Sequence, residues 1–390
     1  MFARTDRSRL AMWWFTVDRQ LLCAVLALIA AGVIFSLAAG PTVAMKKGLA
    51  AYVFVERHTL FAMAAVVIVT VVSFCTPLAI RRIALLVLAA SIAAMIALVL
   101  GGPEINGAQR WVRFAGLSLQ PSEFVKPAFV VLVAWALSAH ARTGRAVLLA
   151  IPLGLVALVV ALLALQPDFG QSLLIAALFG IMFFAAGYSL LWPLGALAAG
   201  LGVTGIAFLH FPHVRARIEG FLSPEDSDTY QIDRAVQSFV EGGWFGRGPG
   251  EGVIKSILPD AHTDFILAVI AEEYGILVCL VLLGLYAFVV ARTIGHVWRM
   301  QNRFARTAAG GLAFLLAMQA FANMGVNTGL LPAKGVTLPF ISYGGSSLTA
   351  MALAMGMLLA LTRRSVEWTD VIPRTAERSA LTQARALPGE

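Results

Sequence analysis

Ten stretches of mostly apolar residues follow one another along this chain, at 21–40, 58–77, 83–101, 124–139, 146–165, 170–187, 190–211, 265–293, 307–330 and 345–361. A helix that crosses ~30 Å of hydrocarbon needs about 20 such residues. Ten of them use roughly 200 residues, which leaves loops but no room for a separate soluble domain in a chain of 390. Composition agrees: 59% of the residues are hydrophobic and 13% charged, against about 45–50% and about 25% in soluble domains. Soluble enzymes, disordered chains and disulfide scaffolds are excluded. The expected fold is an all-α polytopic membrane protein of about ten transmembrane helices.

Basic residues orient it. Arg4, Arg7, Arg9 and Arg19 precede the first run, which is too long for a cleavable signal and reads as a retained start-transfer helix. Arg81 and Arg82, Arg142 and Arg145, then Arg299, Arg303 and Arg306 follow runs two, four and eight, and five more Arg close the chain. The positive-inside rule puts these loops and both termini in the cytoplasm. The expected organisation is a cytoplasmic tail over 1–20, a membrane domain over 21–363 and a cytoplasmic tail over 364–390. One large extracytoplasmic loop, about 212–263, joins spans seven and eight. Within it, residues 230–240 have helical apolar spacing and predict an amphipathic helix on the membrane surface.

The net charge is +8, and some of the positive charge falls on the outer side. Lys46, Lys47, Arg57, Arg110, Arg113, Arg215, Arg217, Arg234, Arg247, Lys255 and Lys334 lie there. Long loops escape the positive-inside rule, which covers the large loop but explains Lys46, Lys47 and Arg57 less well. An anionic ligand at the outer face is the functional reading; nucleic acid is not expected. Cys23, Cys75 and Cys279 sit in apolar stretches without metal spacing and read as small buried hydrophobes. The glycines of 246–252 follow no strand and read as a hinge, not a dinucleotide fingerprint.

Three outer segments could carry chemistry. In the first, Thr263 is expected to cap a helix whose first turn holds Asp264, a carboxylate able to take a proton from a sugar hydroxyl or simply to cap. Glu272 and Glu273 are expected about two turns deeper, where ionisable groups are costly. In the second, Glu123 and Lys126 share a helix face, as a structural ion pair or as cavity lining. In the third, glycines and prolines around Lys334 predict a shaped non-helical loop, either re-entrant scaffold or a lining in which Lys334, Ser342 and Ser346 meet an anion.

Taken together these segments resemble the SEDS family (shape, elongation, division and sporulation), the polytopic peptidoglycan polymerases typified by RodA and FtsW. The resemblance rests on QPSEFVK at 120–126, QPDFG at 166–170, HTDF at 262–265 with Glu272, Glu273 and Gly275, and LPFISYGGS at 338–346. It covers roughly residues 20–365. The wording NTGLLPAKGVTLP at 327–339 is similar to the cell-division branch; Gly40-Pro41 departs from a Ser-rich stretch common in the family.

The resemblance implies a glycosyltransferase that joins lipid II into β-1,4 glycan strands at the outer face of the bacterial cytoplasmic membrane, releasing undecaprenyl pyrophosphate, at the division septum. Asp264 is then the catalytic carboxylate, read here as general base. Arg57, Arg110, Glu123, Lys126, Arg217, His262, Lys334, Ser342 and Ser346 are candidate substrate-binding residues. Asp168, Glu272, Glu273 and Asn327 are candidate structural or cavity residues. The resemblance fixes no cofactor and leaves a divalent cation, magnesium or manganese, open. Expected partners are a class B penicillin-binding protein and other membrane proteins of the division complex. The competing readings are a lipid II flippase, a non-catalytic division scaffold and an elongation-type polymerase.

Overall fold

The computed structural model describes residues 8–102, 109–114, 117–166, 168–189, 191, 202, 205–206, 208–210, 212, 215, 230–331 and 335–363. Among these, seven helices are long and apolar enough to cross a membrane: α2 (Arg19–Lys46), α3 (Val53–Ser73), α4 (Pro77–Gly101), α5 (Pro121–Thr143), α6 (Val147–Leu165), α9 (Ile266–Val297) and α10 (Arg303–Asn327). Two shorter apolar helices join them, α7 (Phe169–Ala185) and α11 (Gly345–Leu361). Nine of the ten apolar runs therefore fall on described helices; of the run at 190–211 only 191, 202, 205–206 and 208–210 are among the described residues. The remaining elements are α1 (Arg9–Thr16), a small hairpin of β1 (Val112–Phe114) and β2 (Leu117–Leu119), and α8 (Tyr230–Gly242).

Local chemistry sets the helix starts. The Asp18 carboxylate accepts from the N–H groups of Gln20 and Leu21 at the head of α2, Thr76 caps α4 ahead of Pro77, and Asn302 caps α10. The centre of the bundle is α5, α10 and α11, whose residues are mostly buried. On α4 and α6 most side chains face outward, as expected where lipid is the solvent. The Trp13 indole N–H of α1 donates to Ser73 Oγ and its ring stacks on Phe74. Arg363 reaches Thr16 Oγ1 and the carbonyls of Ser73 and Phe74. The first and last described helices thus meet at one end of the bundle.

Three boundaries differ from the sequence reading. α2 runs past Gly40 and through Pro41 to Lys46, so Lys46 and Lys47 stand at a helix end rather than in a loop. α1 is additional; with four aromatic and apolar side chains exposed beside Trp13, it is too short for the span criterion that organised the sequence. α8 forms as expected but packs on α9 through Ala235, Ser238 and Gly242, leaving Val236 and Val240 exposed.

Candidate active site

The site is built where two irregular segments enter the bundle. The first runs from 253 to 265 and leads into α9. α9 itself is broken at Gly275, whose φ of 83° and ψ of 172° are not helical. The carbonyl of Leu267 lies 3.9 Å from Cys279 Sγ. An unbroken helix would hold those residues about 18 Å apart, so the chain doubles back at Gly275. The stretch 276–297 is about 33 Å long and spans the ~30 Å of hydrocarbon alone; 266–274 is a short helix folded against its outer part. Glycine is required at the turn, because a Cβ there would meet the Trp244 carbonyl at 2.3 Å and the φ suits no other residue.

This reversal corrects the sequence reading of Glu272 and Glu273. They lie next to the turn, with Asp264 further from it, so they are not two turns deeper than Asp264. Both hold the loop. Glu272 accepts from the backbone N–H groups of Val253, Ile254 and Lys255 at 2.6, 2.7 and 3.0 Å. Glu273 pairs with Lys255 Nζ, which also donates to the carbonyls of Ala38 and Gly250. Gly242 and Gly246 come so close to the backbone of 271–274 that a Cβ on either would collide. Segment 242–277 is therefore one tightly knit clip.

Asp264 also stands differently. The helix begins at Ile266 and Phe265 occupies the cap position without a side-chain bond, while the Thr263 hydroxyl donates to the Asp260 carbonyl. Thr263 is not the cap and Asp264 is not in the first turn. Two asparagines of α10 fix Asp264 instead: Asn323 and Asn327 Nδ2 donate to its main-chain carbonyl at 2.8 and 2.9 Å. Asn327 Oδ1 accepts from Ala268 N–H, and Asn323 Nδ2 also reaches the Val336 carbonyl. The carboxylate of Asp264 is half-buried and accepts no hydrogen bond from the described residues. Burial, and then the negative charge of Asp260, raise its pKa to about 7.

The second segment, 335–344, comes between α10 and α11. Phe340 has a left-handed φ of 68°, uncommon for a bulky residue and a store of strain. The loop is pinned by Tyr286 OH, which donates to the Pro339 carbonyl at 2.5 Å, and it touches α2 at Gly32, where a Cβ would stand 2.0 Å from Phe340 O. Tyr343 N–H donates to the His262 carbonyl at 2.9 Å, joining the two segments. A Cβ on Gly335 would sit 3.7 Å from Asp264 Oδ2, so this loop lies against the carboxylate. Ser342 Oγ accepts from Leu338 N–H within the same turn, which makes it a staple of the loop. Lys334 and Arg217 lie outside the described residues.

The Glu123 segment forms a separate polar seam. Lys126 Nζ lies 2.7 Å from Glu123 Oε2, both residues buried, and Gln171 Nε2 donates to Glu123 Oε1. Arg110 donates to the Gln166 carbonyl and lies 3.8 Å from Asp168. Burial raises the Asp168 pKa, with Arg110 opposing. Ser346, at the head of α11, accepts from Gln120 N–H and so links this seam to the third segment. Among the described residues no hydrogen bond or ion pair joins Glu123 or Lys126 to Asp264. Arg57 lies exposed on α3.

Beside the Asp264 loop is a cavity of about 210 Å³, lined by Val43, Lys46, Lys47, Lys255, Ile257, Leu258, Pro259, Asp260 and His262. His262 is buried, stacks on Tyr343 and packs on Phe54; burial and then the Lys47 charge lower its pKa to about 4. Lys46, Lys47 and Lys255 are thus gathered here, whereas the sequence reading favoured Arg57, Arg110, Arg217 and Lys334. The signal was present in part: Lys46 and Lys47 were two of the three outer charges the topology rule explained least, and the third, Arg57, is not in this lining. Asn323 carried no signal of its own. Among the described residues no group of three or more His, Cys, Asp or Glu converges to hold a metal ion.

The fold and site define a multi-pass α-helical membrane protein with one carboxylate of raised pKa held between two inserted loops. The family model described as "Cell cycle protein", covering FtsW, RodA and SpoVE, matches residues 19–367, and the chain belongs to that family. It is 46% identical over 365 residues to the probable peptidoglycan glycosyltransferase FtsW of Caulobacter vibrioides, covering 93% of each chain. It is 37% identical over 352 residues to that of Trichlorobacter lovleyi, covering 88% of this chain and 92% of the relative. Among solved structures it is similar to a chain from a peptidoglycan synthase complex described as coordinating polymerization and crosslinking, with a TM-score of 0.74 and 28% identity, over 90% of this chain and 98% of that one. The rod shape determining protein RodA of Thermus thermophilus aligns with a TM-score of 0.66 and 26% identity, over 90% and 97%.

Proposed function

We propose that this chain is a peptidoglycan glycosyltransferase of the cell-division type, which polymerises lipid II at the outer face of the bacterial cytoplasmic membrane with Asp264 as general base. One observation carries the assignment of the base: a half-buried carboxylate with a pKa of about 7, its main chain held by Asn323 and Asn327. A base poised near the working pH is most effective. Asp264 takes the proton of the acceptor sugar's 4-hydroxyl as that oxygen attacks the anomeric carbon of the donor. The β-1,4 bond forms, the anomeric C–O bond to the diphosphate breaks, and the lipid diphosphate leaves with the electron pair. Cations near the leaving group would offset its charge. Both termini face the cytoplasm and the protein acts at the septum, with a class B penicillin-binding protein crosslinking the new strand.

The test incubates the purified protein, alone and with its penicillin-binding partner, with lipid II. Glycan ladders that disappear in Asp264→Asn support the reading. Ladders that persist in the variant refute Asp264 as the base, and transport of lipid II across vesicles without ladders favours a flippase. An EDTA arm tests the requirement for magnesium or manganese.

A further inference from the structure

The cavity beside the Asp264 loop has features that fold stability does not explain. Lysines in the last turn of a helix suit its dipole, and that accounts for Lys46 and Lys47 at the end of α2. It does not account for an open volume of about 210 Å³ next to them. Lys255 is already neutralised by Glu273. Lys46 and Lys47 are not paired with a carboxylate among the described residues, and Lys47 otherwise rests over the Phe54 ring at 5.5 Å.

We propose that this cavity binds the diphosphate of a lipid-linked substrate or product, with Lys46 and Lys47 supplying the charge. Size and charge select the ligand. The volume falls below the ~300 Å³ at which pockets for drug-sized molecules begin, which suits a compact headgroup. A diphosphate diester carries two negative charges, and the lining sets the unpaired Lys46 and Lys47 against one carboxylate, Asp260, so its net charge stays positive. The wall of Val43, Ile257, Leu258 and Pro259 is apolar, suited to the first carbons of a lipid tail. The wall shared with the catalytic loop, Asp260 and His262, places the bound diphosphate on the segment that carries Asp264. The proposal rests on the glycosyltransferase reading for its choice of a lipid-linked ligand.

The experiment measures equilibrium binding of a radiolabelled polyprenyl diphosphate to the full-length protein in phosphatidylcholine nanodiscs. Replacing both cations, Lys46→Met with Lys47→Met, should weaken binding about tenfold or more. The Lys46→Arg, Lys47→Arg pair keeps the charge and should bind within about twofold of the parent, which separates loss of charge from loss of fold. Inorganic pyrophosphate should compete. Unchanged binding by the Met pair overturns the proposal. So does displacement of the probe by phosphatidylglycerol vesicles but not by pyrophosphate, which would assign the cavity to a bulk lipid headgroup. The enzyme reading fails separately, if the wild-type complex binds the diphosphate yet makes no glycan from lipid II.

Discussion

Asp260→Asn is the most informative single perturbation of Asp264 as the proposed base. Asp260 is exposed and has a left-handed φ of 49°, a conformation asparagine adopts readily, so the loop should keep its shape. The substitution removes the second of the two causes that hold Asp264 at about 7. Repulsion between an exposed and a half-buried carboxylate on one turn is about 1 kcal/mol, equal to about 0.7 of a pKa unit. In the parent, a base with a pKa of about 7 is about 9% ionised at pH 6 and about 91% at pH 8. With the pKa lowered to about 6.3, the ionised share at pH 6 rises to about one third. The variant should therefore polymerise lipid II about three- to fourfold faster than the parent at pH 6 and within about 10% of it at pH 8. The measurement is kcat against pH at saturating lipid II, which sets aside any gain in binding to the neighbouring cavity. A rate that does not fall below pH 7 in the parent, or an acid limb that Asp260→Asn moves upward, refutes the reasoning.

Asn327→Ala removes one tie to the Asp264 carbonyl and strands the Ala268 N–H; it should lower kcat about 10- to 100-fold, the rate equivalent of about 1.4–2.8 kcal/mol, with little change in KM. Gly275→Ala should cost about 3 kcal/mol or more, because the new Cβ meets the Trp244 carbonyl, and the loss should appear as low yield and a lowered Tm in detergent. Lys126→Met leaves the buried Glu123 charge unpaired and should cost about 3–5 kcal/mol; adding Glu123→Gln should recover most of the Tm, and activity that returns with it marks the pair as structural. Between about pH 4 and 7 the folded chain holds a proton on Asp264 that the unfolded chain has released, so this group lowers stability as pH rises through that window. Asp264→Asn should accordingly raise the Tm relative to the parent at pH 8 and leave it unchanged at pH 4.

Much of this architecture was legible because lipid imposes one rule on long apolar runs, and nine of those ten runs lie on described helices. The segment carrying Asp264 and its general character were legible in residue type and order. Its geometry was not. A period-3.6 reading extends a helix through 264–293, and only the backbone at Gly275 shows that the chain doubles back, which reverses the depth order of Asp264 and Glu272. The basic pocket was invisible for a similar reason. Lys47 and Lys255 are far apart in sequence, and they meet only because α2 continues through Pro41 and Glu272 draws the 253–255 loop inward. Proline and glycine misled in opposite directions: Pro41 did not end its helix, and Gly275 did.

The two asparagines of α10 grip Asp264 by its main chain and leave its carboxylate alone. Placement and charge are thereby handled by different atoms of one residue. A change of protonation at the carboxylate leaves both asparagine bonds in place, and the loop keeps its register when the isosteric amide replaces the acid. A correctly folded copy of this protein that lacks the acid is therefore one substitution away.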